Sequence, residues 1–521
     1  MRKVIGAVVG MLWASTAQAE WYEASSKHFV VYSDSDPVSL KAYTTRLERY
    51  DAAVKALWNV PDDNRGPSSR VTVFQVDTVE AVQKLANAPG GNIAGFYSSR
   101  ATGSVSFVPR ESRGNGEAWQ LKSERVLLHE YAHHFMYADW PSAIFPRWFS
   151  EGFAEYLSTA IFNADGSVTF GAPPTDRAWG VAMINQMPLS KMLQPALGKL
   201  NDQETYALYS RGWLLTHFLV NDPERRKQLA GYIGAINEGK SVDDATKIFG
   251  NLNALDFKLM SYAKRPSFAS LVVPASALKI GPVDIRKLTA GETATMPTRL
   301  RTTAGVSAQT APLVAAQARR AAAPFPNDAG AQNELAEAEY DAKDYPAAIA
   351  AAERAMAADP KSVHAVLYKG MALQAVAEAA QSNDDKRWQD VRRWYIAGNK
   401  LAVEDPQPLI LYYRSFKPAG VAPSKSADAG LLYASALAPF DLDLRIDAAR
   451  VYMQQADTAK ARKALMPVAY SPHGGENAAK VRTIMTTLDT GGVQPALAQL
   501  DALLAEVAAK AKKDGKTSGE D

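Results

Sequence analysis

His129-Glu130-Tyr131-Ala132-His133, followed by Trp148-Phe149-Ser150-Glu151-Gly152-Phe153-Ala154-Glu155-Tyr156, is the stretch on which the reading of this chain turns. The apolar spacing from Leu121 to Tyr137 is that of a helix. Residues four apart on a helix stand one above the other, so His129 and His133 can both reach one ion at about 2.0–2.1 Å, with Glu130 beside them. This is the HExxH pattern, in which two histidines hold zinc and the glutamate is the general base. A catalytic zinc takes three protein ligands and keeps one position open. The second segment, helical in character from Pro146 to Ala160, supplies Glu151 as the third ligand to one Zn2+. Glu155 lies on the same face, placed to accept a hydrogen bond from the outer nitrogen of a metal-bound histidine. Asp139 is the rival third ligand, but the rival arrangement needs a glycine turn where Met136 stands, so Glu151 is preferred.

The chemistry is concentrated there. Of seven histidines, three fall within this one helix. His134 points about 100° away from His133 and reads as a packing residue. His28, His217, His364 and His473 are isolated and read as structural, and Trp140 and Trp148 read as core. No cysteine occurs, which excludes a lipid-anchored lipoprotein and thiolate chemistry and leaves histidine and carboxylate as the ligands for a transition metal. Hydrophobic residues make up 47% and charged residues 22% of 521, the balance of a water-soluble chain of several domains.

Arg2 and Lys3 precede an apolar run from Val4 to Ala14, and Ala17-Gln18-Ala19 offers a cleavage site, so residues 1–19 read as a secretory signal peptide. The run spans roughly 16 Å of helix against about 30 Å of hydrocarbon, too little for a membrane anchor. Cleavage would lower the net charge from +3 to +1, which argues against nucleic acid or an anionic membrane as partner. The expected location is the bacterial periplasm, with release from the cell as the alternative.

Residues 20–265 are expected to form one α+β domain, a small mixed sheet plus a helical subdomain. Strands are expected at His28–Ser33, Val71–Val76 and Ser104–Pro109, and helices at Leu40–Trp58 and Gln203–Val220. Residues 266–325 read as a connector or small extended subdomain, with a strand at Leu271–Val273. Residues 326–509 read as an all-α tetratricopeptide-repeat solenoid. Pro326 and Pro360 stand 34 residues apart with small residues Ala336, Ala348 and Ala355 between them, and Asp344 caps a helix opened by Tyr345 and Pro346. A second unit ends at Asp405-Pro406, and a third runs from Asp441 to Pro472. Stacked helix pairs present a groove suited to a protein partner. Residues 510–521 read as a charged, flexible tail.

These residues resemble the gluzincins, zinc peptidases whose metal is held by HExxH and a glutamate on the following helix. The phrase Glu151-Gly152-Phe153-Ala154 is similar to the third-ligand segment of their aminopeptidase branch, and Tyr209-Ser210-Arg211-Gly212 is similar to that branch's tyrosine-bearing segment. The resemblance implies a zincin-type fold and a peptide or protein substrate. It also implies that the Tyr209 phenol, with Tyr206 as the alternative, hydrogen-bonds the oxyanion. It extends from about His28 to Val220. Ser104–Glu111 lacks the glycine, methionine, glutamate and asparagine segment that holds a substrate's amino terminus, so endopeptidase or narrowly specific cleavage is expected over aminopeptidase action. As a whole the chain looks like exported bacterial proteins of the peptidase MA-like group. The other expectation is a catalytically silent scaffold that binds a protein through its repeats, although Glu130 and all the ligands are kept.

Overall fold

The computed structural model describes residues 20–62, 66–90, 93–110, 123–175, 178–181, 186–194, 197–472 and 474–513. Residues 1–19, read above as a signal peptide, His473 and residues 514–521 of the expected tail lie outside them.

The strands are β1 (Tyr22–Ser25), β2 (Phe29–Ser33), β3 (Val71–Val76), β4 (Phe96–Ser98), β5 (Val105–Pro109), β6 (Ile161–Phe162), β7 (Val168–Phe170), β8 (Leu271–Val273) and β9 (Asp284–Lys287). A mixed sheet has the order β4-β5-β3-β2-β1-β9, with β2, β3 and β5 parallel and β4, β1 and β9 antiparallel to their neighbours. Strands β6, β7 and β8 form a second, smaller sheet.

The helices that follow the strands are α1 (Pro37–Trp58), α2 (Val79–Leu85), α3 (Ser123–Asp139), α4 (Arg147–Ser158), α5 (Ala178–Val181), α6 (Leu189–Met192), α7 (Asp202–Val220), α8 (Pro223–Asn237), α9 (Val242–Thr246) and α10 (Leu252–Ala263). Helix α1 starts where Asp36 accepts the Val38 and Ser39 amides and Pro37 presets the first turn, and stops at Asn59, whose φ of 52° lies in the left-handed region. Helix α7 opens on a reciprocal capping box between Asn201 and Glu204.

Side chains alternate across the main sheet. Val31, Val73 and Val108 face Leu47 and Tyr50 of α1 and Leu128 and Ala132 of α3, whereas Tyr32, Phe74 and Phe107 face the other way. On that second face, rings stack across the strands, Tyr32 on Phe74 at 5.2 Å, Phe74 on Phe107 at 5.1 Å and Phe96 on Phe107 at 4.7 Å. Two hydrogen bonds pin α3 to α1: Tyr50 donates to the Leu128 carbonyl at 3.0 Å, and Tyr131 donates to the Asp51 carboxylate at 2.8 Å.

The rest of the chain is helical: α11 (Ala290–Ala304), α12 (Ala311–Ala322), α13 (Ala329–Asp341), α14 (Tyr345–Ala358), α15 (Val363–Ala379), α16 (Asp385–Leu401), α17 (Pro406–Arg414), α18 (Lys425–Leu437), α19 (Leu442–Gln454), α20 (Thr458–Ala469), α21 (Gly475–Thr490) and α22 (Val493–Lys513). Asp344 caps α14 as read from the sequence, accepting the Ala347 amide at 3.2 Å. Small buried residues, Ala336, Ala351, Ala352 and Ala355, let α13 and α14 lie close.

Three boundaries differ from the sequence reading. The segment 266–325 does not link two units in extended form: β8 completes the small sheet, β9 extends the main one, and Met296 and Leu300 of α11 cover its aromatic face. The helices at the far end also do not form a core of their own. Ile446 and Met453 of α19, Leu465 and Val468 of α20 and Ile484 of α21 belong to the same buried cluster as Trp148, Phe153 and Leu214. Finally, α22 continues through Lys510 to Lys513. Among the described residues, no helix is long and apolar enough to cross a membrane.

The crossing of α4 and α7 depends on two glycines. A Cβ on Gly152 would lie 2.3 Å from the Gly212 carbonyl oxygen and 2.5 Å from Thr216 Oγ1, and one on Gly212 would lie 2.9 Å from the Trp148 carbonyl oxygen. Gly152→Ala is therefore expected to cost about 1–3 kcal/mol through overpacking, read as a lower denaturant midpoint at unchanged slope. A midpoint equal to that of the parent chain would contradict this packing.

Candidate metal centre

Helix α3 carries His129 and His133 toward α4, and the close approach of α4 to α7 carries Glu151 and Tyr209 to the same place. Nε2 of His129 lies 3.3 Å from Nε2 of His133, and Glu151 Oε2 lies 3.4 Å and 3.5 Å from those two nitrogens. These donors make a nearly equilateral triangle. A tetrahedral ion with bonds of about 2.0–2.1 Å keeps its ligands roughly 3.3–3.4 Å apart, so the three donors fit one such ion and leave a fourth position for water or substrate. Glu151 is fully buried, which suits a carboxylate that is to be neutralised by a cation.

The surroundings are negative. Burial by itself would lower the His129 pKa, but the carboxylates of Glu151, Glu155 and Glu130 outweigh it and hold the imidazole above its ordinary value. The same field favours a metal cation among these donors. Glu155 Oε1 lies 3.6 Å from His129 Nδ1, beyond hydrogen-bond length, and the carboxylate is held by an ion pair with Arg125. Ser150 Oγ lies 3.4 Å from Nδ1 of His133. Neither Arg125 nor Ser150 was anticipated from the sequence. Arg125 stands one helical turn before His129 on α3, and that spacing is the signal that could have found it.

The Tyr209 ring centroid is 6.0 Å from that of His129. Burial raises its phenol well above the ordinary range, Glu151, Glu155 and Glu130 push it the same way, and Arg147 opposes them. The hydroxyl is thus kept protonated and able to donate. Tyr206 instead packs its ring edge against Gly180 of α5, 2.9 Å from where a Cβ on that glycine would lie. Asp139 closes α3 and lines a different cavity together with His28 and Lys55. His134 is buried, bonded through Nδ1 to the Tyr97 hydroxyl at 2.8 Å and packed on the Phe440 ring at 4.6 Å. Trp148 is fully buried, and Trp140 packs among Trp58, Phe135 and Phe153, as expected of core residues.

Glu130 and His133 open onto a cleft of about 420 Å³. One wall is β4, and the other comes from the start of α19, more than three hundred residues further along the chain. The walls are tied together: Asp441 accepts the Ala101 amide at 2.7 Å, and Ser99 donates to the Phe440 carbonyl at 3.1 Å. The helical region thus shapes the site directly, a role that no sequence spacing announced.

A second group that could hold a metal ion is His28, Glu48 and Asp51. It already contains a cation. Lys55 Nζ lies 2.8 Å from Asp51 and from Asp62 and 2.9 Å from His28 Nε2, and His28 Nδ1 is bonded to Glu48 at 2.7 Å. We therefore read it as a buried ion network that holds α1 to β2. His217 is likewise structural, its Nε2 between the carbonyls of Gly171 and Ala269 at 3.1 and 3.0 Å and its Nδ1 on the Tyr262 hydroxyl at 2.8 Å. His364 stacks on Tyr368 at 4.4 Å.

No family model matches the chain, and no curated protein matches it.

Proposed function

We propose that the chain is a zinc-dependent metallopeptidase of the gluzincin kind within the peptidase MA-like group, exported to the periplasm, with tetratricopeptide-like helix pairs after a zincin-type domain. The triangle of His129, His133 and Glu151 carries this reading, because its 3.3–3.5 Å edges match the donor spacing of a tetrahedral zinc.

When bound, zinc supplies Lewis acidity, lowering the pKa of water toward about 7 and polarising a carbonyl. Glu130 lies in the cleft immediately beyond His129, where it can take the proton of an attacking water as the new carbon–oxygen bond forms. It then gives that proton to the amide nitrogen as the carbon–nitrogen bond breaks, so that no acyl-enzyme is formed. Tyr209, neutral and close to His129, donates a hydrogen bond to the oxyanion that develops in between. Glu155, fixed by Arg125, keeps a negative charge behind His129 and favours its presentation of Nε2 to the metal.

The test is metal content together with casein proteolysis on the mature full chain. About one zinc per chain and metal-dependent cleavage are expected. Zinc retained without cleavage of any protein or peptide would instead favour the silent scaffold. Tyr209→Phe is expected to lower kcat about a hundredfold while leaving zinc content and KM little changed, since it removes one oxyanion donor and no ligand. Equal kcat in that variant would remove Tyr209 from the mechanism.

A further inference from the structure

A second cleft, of about 610 Å³, opens between Arg147 at the start of α4, the segment 197–200, and the turn between α20 and α21. It meets the metal-side cleft at Ser471, which lines both. Its charge is one-sided. Arg147, Lys199 and Arg482 face it against the single carboxylate of Glu476. No ion pair holds any of these three cations among the described residues, so their charge is left to face the cleft. Arg147 Nε is buried without a hydrogen-bond partner among those residues, and Arg482 donates to the Ala469 carbonyl at 2.6 Å. Arg147 stands one helical turn before Glu151 on α4, which brings the basic surface up to the candidate metal centre.

A partly desolvated guanidinium with an idle N–H costs free energy until an acceptor arrives, and a planar fork matches a carboxylate better than any other group in a peptide. A concave surface of one sign also gathers ligands of the other. We propose that this cleft is a substrate subsite that binds a carboxylate of the peptide, with Arg147 as its innermost contact and Lys199 and Arg482 as the outer ones. The proposal rests on the peptidase reading and gives it a substrate class: peptides with an acidic side chain, or the terminal carboxylate, on one side of the bond to be cut. The walls of this subsite come from segments almost three hundred residues apart in the chain, the start of α4 and 197–200 on one side and the α20–α21 region on the other.

The two sources of carboxylate are separated by binding to the zinc-loaded full chain carrying Glu130→Gln, followed by fluorescence anisotropy. The probes are a short fluorescein-labelled peptide of Ala, Leu and Gln that is amidated at its C-terminus, the same amidated peptide with Glu placed in turn at each internal position, and the same peptide with a free terminal carboxylate. One carboxylate-bearing form is expected to bind about tenfold or more tighter than the neutral amide, as a charge-assisted hydrogen bond would give. If it is a Glu form, the subsite takes a side chain; if it is the free terminus, it takes the chain end. Arg147→Ala and Lys199→Glu should each reduce the preference, and Arg147→Lys should keep part of it. Lys199 is exposed, so its reversal tests the charge without threatening the fold. Equal binding of all forms, no binding of any, or a preference that survives both substitutions would overturn the subsite. Cleavage by the wild-type chain is scored in parallel: cleavage without preference removes only the subsite, and preference without cleavage removes only the peptidase reading.

Discussion

Glu130→Gln is expected to keep about one zinc per chain and to lower peptide hydrolysis about a hundredfold or more, the usual contribution of a positioned general base. The amide is nearly the size of the carboxylate, so the cleft, His129 and His133 should be undisturbed, and what disappears is the capacity to accept a proton. Glu151→Ala separates that effect from metal loss. It removes a fully buried donor that closes the triangle with both histidines, so zinc should be lost and activity with it, with no recovery at ordinary zinc concentrations. Glu155→Gln belongs between the two, because Glu155 stands behind His129 and is not a ligand; a 10- to 100-fold weaker metal affinity is the expected scale. Full activity in Glu130→Gln would refute the mechanism, whatever the metal content.

The triangle was legible in the sequence because each part of it is local. His129 and His133 share a helical face through their spacing, and Glu151 comes from a helix announced by Pro146 and its own apolar period. Strand β3 was read to the residue, since a buried run of β-branched and aromatic residues is a local signal. Other features depend on pairing across the chain. Strand β4 is three residues long in a glycine-containing stretch, and it becomes a strand only because β5 offers an edge. Strand β9 reads Asp284-Ile285-Arg286-Lys287, with no apolar alternation, and is held by β1 and by the pairs of Arg286 with Glu23 and Glu292. The Pro, Thr and Ala content of 266–325 suggested a connector, yet Thr289 and Glu292 make a capping box that starts α11, and the helix runs on through Pro297. The glycines at 152 and 212 were seen as parts of motifs; only the crossing of α4 and α7 supplies the reason that a side chain cannot stand there.

Ending the chain after Pro326 is expected to abolish soluble folding of the N-terminal part, so that it does not release a separately folded domain. A solenoid joined as a separate unit would tolerate that cut. Here the cut removes Ile446, Met453, Leu465, Val468 and Ile484, which belong to one continuous buried cluster with Trp148, Phe153 and Leu214, and Phe416 and Leu431, which pack with Ala101 and Ala138 in another, and so it uncovers retained apolar side chains that border them. Each large apolar side chain so exposed forfeits about 1.5–3 kcal/mol, and a handful of them equals the roughly 5–15 kcal/mol that holds a typical domain together. Polar ties go as well. Arg445 donates to the Pro141 carbonyl at 2.6 Å and Asp441 accepts from Ala101, so the truncated chain leaves the Ala101 amide without that acceptor. The measurement is soluble yield and calorimetry. The full chain should unfold with α3, α4 and the C-terminal helices in one cooperative transition, and the fragment ending at 326 should be insoluble or lack a transition. Two independent transitions, or a soluble fragment that binds zinc as tightly as the whole, would show that the shared core contributes little. In the expected case, the helices after 440 act as structural parts of the cleft, and a partner bound to them would meet a surface already committed to holding the His129, His133 and Glu151 triangle in shape.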